Sequence, residues 1–144
     1  MEKIKLFDCC FHDSEIGDVD YSDHTLTIRL SNVFRDDSYH NLEMKFRVED
    51  GCFSIYRVKR YPHFHKVSFK GKEISLNLLR SLFIKGYKLF LIDISVSSIM
   101  NTVILDCDIF PSPKKAGVCK KILIELTFYE YDYCTLEEKT KGAT

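Results

Sequence analysis

The sequence predicts a mainly β, α+β domain: an antiparallel meander or barrel-like sheet with one helix covering a face. Three observations predict it. Leu42, Met44, Phe46 and Val48 alternate with Glu43, Lys45, Arg47 and Glu49, the period of a strand with one wet face. Similar alternation recurs along the chain, while helical spacing occurs in one stretch, Ile74–Lys85. Between two alternating runs, Asp50-Gly51 offers the positive φ angles of a tight type I′ turn. Residues 41–60 therefore read as a hairpin in which Val48 faces Phe53 and Phe46 faces Ile55. Met44 would then face Arg57, so either Arg57 lies at the sheet margin or a bulge near Tyr56 swaps the faces. The bulge is favoured, because it keeps Val58 out of water.

The elements follow in order. Residues 1–15 form a leading segment without a clear period. Asp18–Tyr21 and Thr25–Leu30 suggest a first strand pair around a Ser22-Asp23 turn, with Leu26, Ile28 and Leu30 on one side. Residues 32–40 read as a polar loop. After the hairpin, Pro62 and Gly71 flank a short strand at Val67–Phe69. Over Ile74–Lys85, Leu78, Leu79, Leu82 and Phe83 make one apolar helical face. Ser75 can cap its start and Gly86 can stop it. The competing reading is a strand, since Ile74, Leu76 and Leu78 alternate.

Lys88–Val96 and Thr102–Phe110 are two apolar strands around 97–101. Phe90, Ile92, Ile94 and Val96 would share one face, and Val103, Leu105, Cys107 and Ile109 another. Pro111 to Gly117 is an exposed loop. Lys121–Glu130 is the last strand, with Ile122, Ile124, Leu126 and Phe128 inward. Residues 1–144 make a single domain whose end, 136–144, frays.

Composition narrows the function classes. An apolar fraction of 45% with 13% aromatics supplies one core and excludes disorder across the body of the chain. Basic and acidic residues balance at 21 each, so no nucleic-acid partner is expected. Charged residues open the chain, and Lys88, Asp93 and Ser95 break the longest apolar runs, so neither a secretory signal nor a membrane span is expected, and the location reads as cytoplasmic. The six cysteines, Cys9, Cys10, Cys52, Cys107, Cys119 and Cys134, include no C-x-x-C pair. They read as free thiols, with Cys107 a small core hydrophobe.

Few residues point to chemistry. His63-Phe64-His65 would place two imidazoles on one face of a strand, but a metal site needs further ligands, so no metal and no cofactor are expected. His12-Asp13-Ser14-Glu15 gathers acid–base groups, yet neighbours along a chain seldom converge, and a turn held by Asp13 or Ser14 explains them. Cys9 or Cys10 near His12 lacks the signs of an activated thiol. Phosphate loops, nucleophile elbows and H-E-x-x-H motifs are absent. Tyr129, Glu130, Tyr131, Asp132 and Tyr133 alternate aromatic with acidic residues. They form the candidate partner-binding stripe, or else an edge strand packing its rings on the core.

At Phe11-His12-Asp13-Ser14-Glu15-Ile16, followed by Val19-Asp20-Tyr21 and Thr25-Leu26-Thr27-Ile28, the chain resembles a loose group of small bacterial cytosolic proteins. Several of these are immunity proteins of polymorphic toxin systems. The resemblance covers about 20 residues near the start. It implies a β-rich, non-enzymatic protein-interaction module whose partner is a toxin or another protein, and it carries over no catalytic residue. The alternative is a small-ligand-binding or enzymatic β-barrel with His12, Asp13, His63 and His65 near a pocket.

Overall fold

Nine strands and one helix succeed one another in the computed structural model, which describes residues 9–62, 67–97, 99–110, 119–128 and 134–138. The strands are β1 Ser14–Ser22, β2 Thr25–Arg35, β3 Ser38–Arg47, β4 Phe53–Pro62 and β5 Val67–Ile74. After the helix α1, Leu76–Ile84, come β6 Lys88–Ser97, β7 Thr102–Phe110, β8 Cys119–Thr127 and β9 Cys134–Glu138. All belong to one antiparallel sheet in the order β5-β4-β8-β7-β6-β1-β2-β3-β9. The fold is thus mainly antiparallel β with a single helix, and the sheet does not close into a barrel.

The Asp50-Gly51 turn forms, with the Cys52 amide donating to the Glu49 carbonyl at 3.1 Å, but it does not make a hairpin. β3 pairs with β2 and β9, whereas β4 pairs with β5 and β8. Val48 therefore does not face Phe53, nor Phe46 Ile55. The turn chemistry explains the correction. Only Gly51 has positive φ, at 78°, which is the third position of a type II turn rather than type I′. Type II turns splay the flanking strands instead of following their twist. The type I′ turns lie elsewhere, at Asp23-His24 (φ 50° and 57°) and Asp36-Asp37 (φ 49° and 60°). They close β1 on β2, with Ser22 opposite Thr25, and β2 on β3, with Arg35 opposite Ser38. The first turn is one residue later than Ser22-Asp23. The expected polar loop at 32–40 is strand and turn.

The sheet coils back on itself. β4 and β1 stand four places apart in the sheet order, so flat strands would separate them by about 19 Å. Yet the rings of Tyr21 on β1 and Phe53 on β4 lie 4.8 Å apart. Residues 48–52 cross between the two parts: the Val48 amide bonds to the His24 carbonyl and the Thr127 amide to the Cys52 carbonyl. One apolar cluster fills the enclosed space, drawing on every strand and on Leu79 and Leu82 of α1.

Bulges supply the curvature. Register shifts fall at Gly17 in β1, between Leu30 and Val33 in β2, and between Leu91 and Asp93 in β6. The β6 bulge corrects a face assignment. Leu89 and Leu91 are buried, and beyond the bulge Ile94 and Val96 pack inward. Phe90 and Ile92 do not share that face. In β7 the face is as expected: Val103, Leu105, Cys107 and Ile109 are buried. So are Ile122, Ile124 and Leu126 in β8, with Phe128 packed at the margin. Burial pushes the Cys107 thiol far up from its ordinary value.

No bulge interrupts β4, whose register is continuous against both neighbours. Arg57 therefore faces inward with Ile55, and Val58 is buried on the outer face opposite Gly71. β5 is longer than Val67–Phe69. In α1 the Ser75 hydroxyl accepts the Leu78 amide, and Gly86 follows the last turn at φ 91°. Leu136 pairs with Met44 and is buried, while residues 139–144 lie outside the described residues.

Candidate functional site

β1 and β6 meet along only three residue pairs, from Ser14↔Leu91 to Ile16↔Leu89. Ahead of Ser14 the chain turns sharply. Asp13 takes φ 64°, the Ser14 amide bonds to the Phe11 carbonyl, and the buried Ser14 hydroxyl donates to the same carbonyl at 2.6 Å. Residues 12–14 thus form the turn expected of them, held by the Ser14 hydroxyl. Cys10 then bridges to Phe34, the two residues exchanging backbone hydrogen bonds of 2.8 and 3.2 Å.

Residues 9–12 thus continue the line of β1 beside β2, while β6 bulges away at Ile92. The parting leaves a cleft of about 270 Å³ lined by Cys9, Cys10, Phe11, His12, Ile92, Asp93 and Ile94. His12 spans its mouth. Its Nδ1 lies 3.2 Å from the Ile92 carbonyl, which can only accept, so Nδ1 carries a proton there. Its Nε2 lies 3.4 Å from the Asp13 carboxylate, and both side chains are exposed.

The Cys10–Phe34 bridge joins this cleft to the β2–β3 hairpin. Phe34 and Tyr39 are direct cross-strand partners with edge-on rings 5.4 Å apart. They are 40% and 72% exposed, the geometry of an aromatic pair offered to solvent. Asp36 and Asp37 in the turn of this hairpin, Asp93 in the cleft and Asp13 beside His12 are all exposed. The hairpin is braced from behind: His40 Nδ1 lies 2.6 Å from Glu138 of β9, and His40 Nε2 lies 2.8 Å from the Ser38 hydroxyl.

Of the residues singled out in the sequence, the structure brings together His12 and Asp13. Tyr129, Glu130, Tyr131, Asp132 and Tyr133 lie outside the described residues, as do His63 and His65. Phe34 and Tyr39 were missed because they sat in the presumed polar loop. Their cross-strand pairing follows once Asp36-Asp37 is read as a type I′ turn. Among the described residues there is no group of three or more metal-ligating side chains, Cys9, Cys10, Cys52 and Cys107 are unbridged, and no helix is long and apolar enough to cross a membrane.

The outer face of β1–β2–β3–β9 carries an ordered charge ladder. Asp18 Oδ2 meets Arg29 at 2.7 Å, Arg29 meets Glu43 at 3.2 Å, Glu43 meets Lys45 at 3.4 Å, and Lys45 meets Glu137 at 3.2 Å. Arg80 of α1 joins Asp18 and Asp20 at 3.6 and 3.7 Å. The hydrogen bond to Glu137 raises the Lys45 amine, against burial. These side chains are satisfied by each other, so the ladder reads as structural. Comparison with protein-family models, with characterised proteins and with solved structures finds no match to this chain.

Proposed function

We propose that the chain is a non-enzymatic protein-interaction module, of the kind to which a toxin-neutralising immunity protein would belong. One observation carries this reading: an exposed aromatic pair on a braced hairpin stands beside a cleft of side-chain size. Large aromatics give contact area at low entropic cost, and a cleft can seat an anchor residue of a partner. The exposed aspartates at the cleft and on the hairpin turn favour a basic partner and hasten encounter with it, although the chain as a whole is neutral.

The test is calorimetric binding to the product of the adjacent gene, with wild type beside Tyr39→Ala and Phe34→Ala. Each substitution should weaken binding by about 2 kcal/mol while leaving the melting temperature nearly unchanged. Binding that ignores both substitutions removes this surface from consideration. The small-ligand or enzymatic alternative also has one observation in its favour: His12 and Asp13 stand in contact at the mouth of the same cleft. A catalytic role for that pair requires turnover that His12→Ala abolishes.

A further inference from the structure

At the other end of the enclosed sheet face the charge pattern breaks its own rule. Arg57 stands directly opposite Lys72 on β5, and Lys59 directly opposite Lys120 on β8. Strict alternation puts all four on the inner face, in line with Ile55 and Ile122. Directly opposed like charges destabilise a sheet. Elsewhere opposed like charges keep a counter-charge beside them: Lys45 meets Glu43 and the Glu137 opposite it, and Lys121 meets Asp106, which stands opposite Asp93. Arg29, Lys45, Arg80 and Lys121 each meet two carboxylates. Arg57, Lys59, Lys72 and Lys120 meet none among the described residues.

The inner positions of β4, β7 and β8 in this part of the sheet hold Ile55, Leu105, Cys107, Ile109, Ile122 and Ile124, and α1 contributes no acid. Two further signs of an uncompensated site accompany this. The Arg57 Nε is shielded from solvent and has no hydrogen-bond acceptor among the described residues, which costs a desolvation penalty in the free protein. Burial, together with the charges of Arg57 and Lys59, lowers the Lys120 amine below its ordinary value.

We propose that Arg57, Lys59, Lys72 and Lys120 form a binding site for a small oligophosphate, a ligand carrying two or more linked phosphoryl groups. Opposed side chains in neighbouring strands start about 5 Å apart, and successive residues on one face about 7 Å apart. The four donors therefore converge on a compact anion rather than follow an extended one. Arg57 offers a planar fork to a phosphoryl group, and the three amines act as point charges around it. The position on the concave face, with Arg57 and Lys120 half-buried, keeps out the convex surface of a duplex. This site is independent of the aromatic cleft and of the reading built on it.

The experiment titrates inorganic pyrophosphate into the whole chain at low ionic strength by calorimetry, with a single-stranded oligonucleotide and a poly-glutamate peptide in parallel. Saturable pyrophosphate binding is expected, weakened at least about tenfold by Arg57→Gln and by Lys120→Gln and unaffected by Arg35→Gln. Without ligand, Lys59→Gln and Lys120→Gln should raise the melting temperature, because each removes a like-charge opposition; cations that merely brace the fold would lower it. Absence of saturable pyrophosphate binding, tighter binding of the oligonucleotide or the peptide, or melting temperatures that fall in both lysine variants would each overturn the proposal.

Discussion

Tyr21 shows how a single side chain ties two parts of the sheet together. Its ring packs on Phe53, and its hydroxyl lies 2.8 Å from the Val48 carbonyl and 2.7 Å from Asp50 Oδ1. Burial, then the hydrogen bond and charge of Asp50, push its pKa from 10.0 up to about 12. The neutral phenol is therefore favoured by folding. Its contribution is complete below pH 10 and is lost as pH rises toward 12. The loss should reach about 2 kcal/mol at most, since the hydroxyl sits at the solvent margin. Tyr21→Phe should cost about 1 kcal/mol at pH 7 and flatten that alkaline decline, as read by urea melts across pH. Glu43 is the second such residue, 5% exposed between Arg29 and Lys45. Glu43→Ala should cost about 2–3 kcal/mol by removing the buried carboxylate that joins both cations and leaving each with a single partner, more than Glu137→Ala at the open end of the ladder. Equal costs would show that burial of Glu43 adds nothing.

Turns decide the pairing of elements, and here the sequence was legible only in part. The inward rows of β7 and β8 could be read directly, because β-branched and leucine residues alternate without interruption. Ser75 and Gly86 marked the helix for the same kind of reason: each residue type does there what its backbone chemistry favours. The β6 face could not be read, because a one-residue bulge reverses every later side chain. The hairpins were misplaced because Asp-Gly outranks Asp-His and Asp-Asp as a turn signal, although aspartate also enters the left-handed region. This makes a test at the element scale. Replacing Asp36-Asp37 with Asn-Gly should stabilise the protein by about 0.5–1 kcal/mol, since φ there is 49° and 60°. Gly51→Ala, at φ 78°, should destabilise it by about 1 kcal/mol even though no atom lies within 4 Å of the added methyl. A neutral Gly51→Ala would mean that residues 49–52 adapt freely. The candidate site was half-legible. His12 and Asp13 were adjacent in the sequence and stay together, whereas Phe34 came to the cleft through Cys10, a pairing across 24 residues (34 − 10) that no local pattern announces.

Across the whole molecule, the neutral formal charge conceals two opposed regions. Exposed aspartates lie at the cleft and on the neighbouring hairpin turn, and cations that meet no carboxylate among the described residues occupy the inner face of β4, β5 and β8. Raising salt should therefore slow association of a basic partner at the cleft and loosen a bound phosphate at the other region. The same salt should stabilise the free protein by screening the opposed cations. Stopped-flow association rates and thermal melts from about 0.02 to 0.5 M salt check all three. A partner whose association rate is indifferent to salt would exclude the aspartates from steering.

The short β1–β6 seam also bears on birth rather than function. β1, β2 and β3 can zip locally as successive hairpins, but Ser14 must wait for Leu91, 77 residues later (91 − 14), before that side of β1 is covered. At about 5–20 residues per second of synthesis, the interval is roughly 4–15 seconds. For that time a nascent three-stranded sheet presents an open edge beside its apolar face, the arrangement most exposed to wrong pairing. The bulge at Gly17 interrupts the β1–β2 ladder directly beside that edge, so a kink that curves the finished sheet also guards the unfinished one.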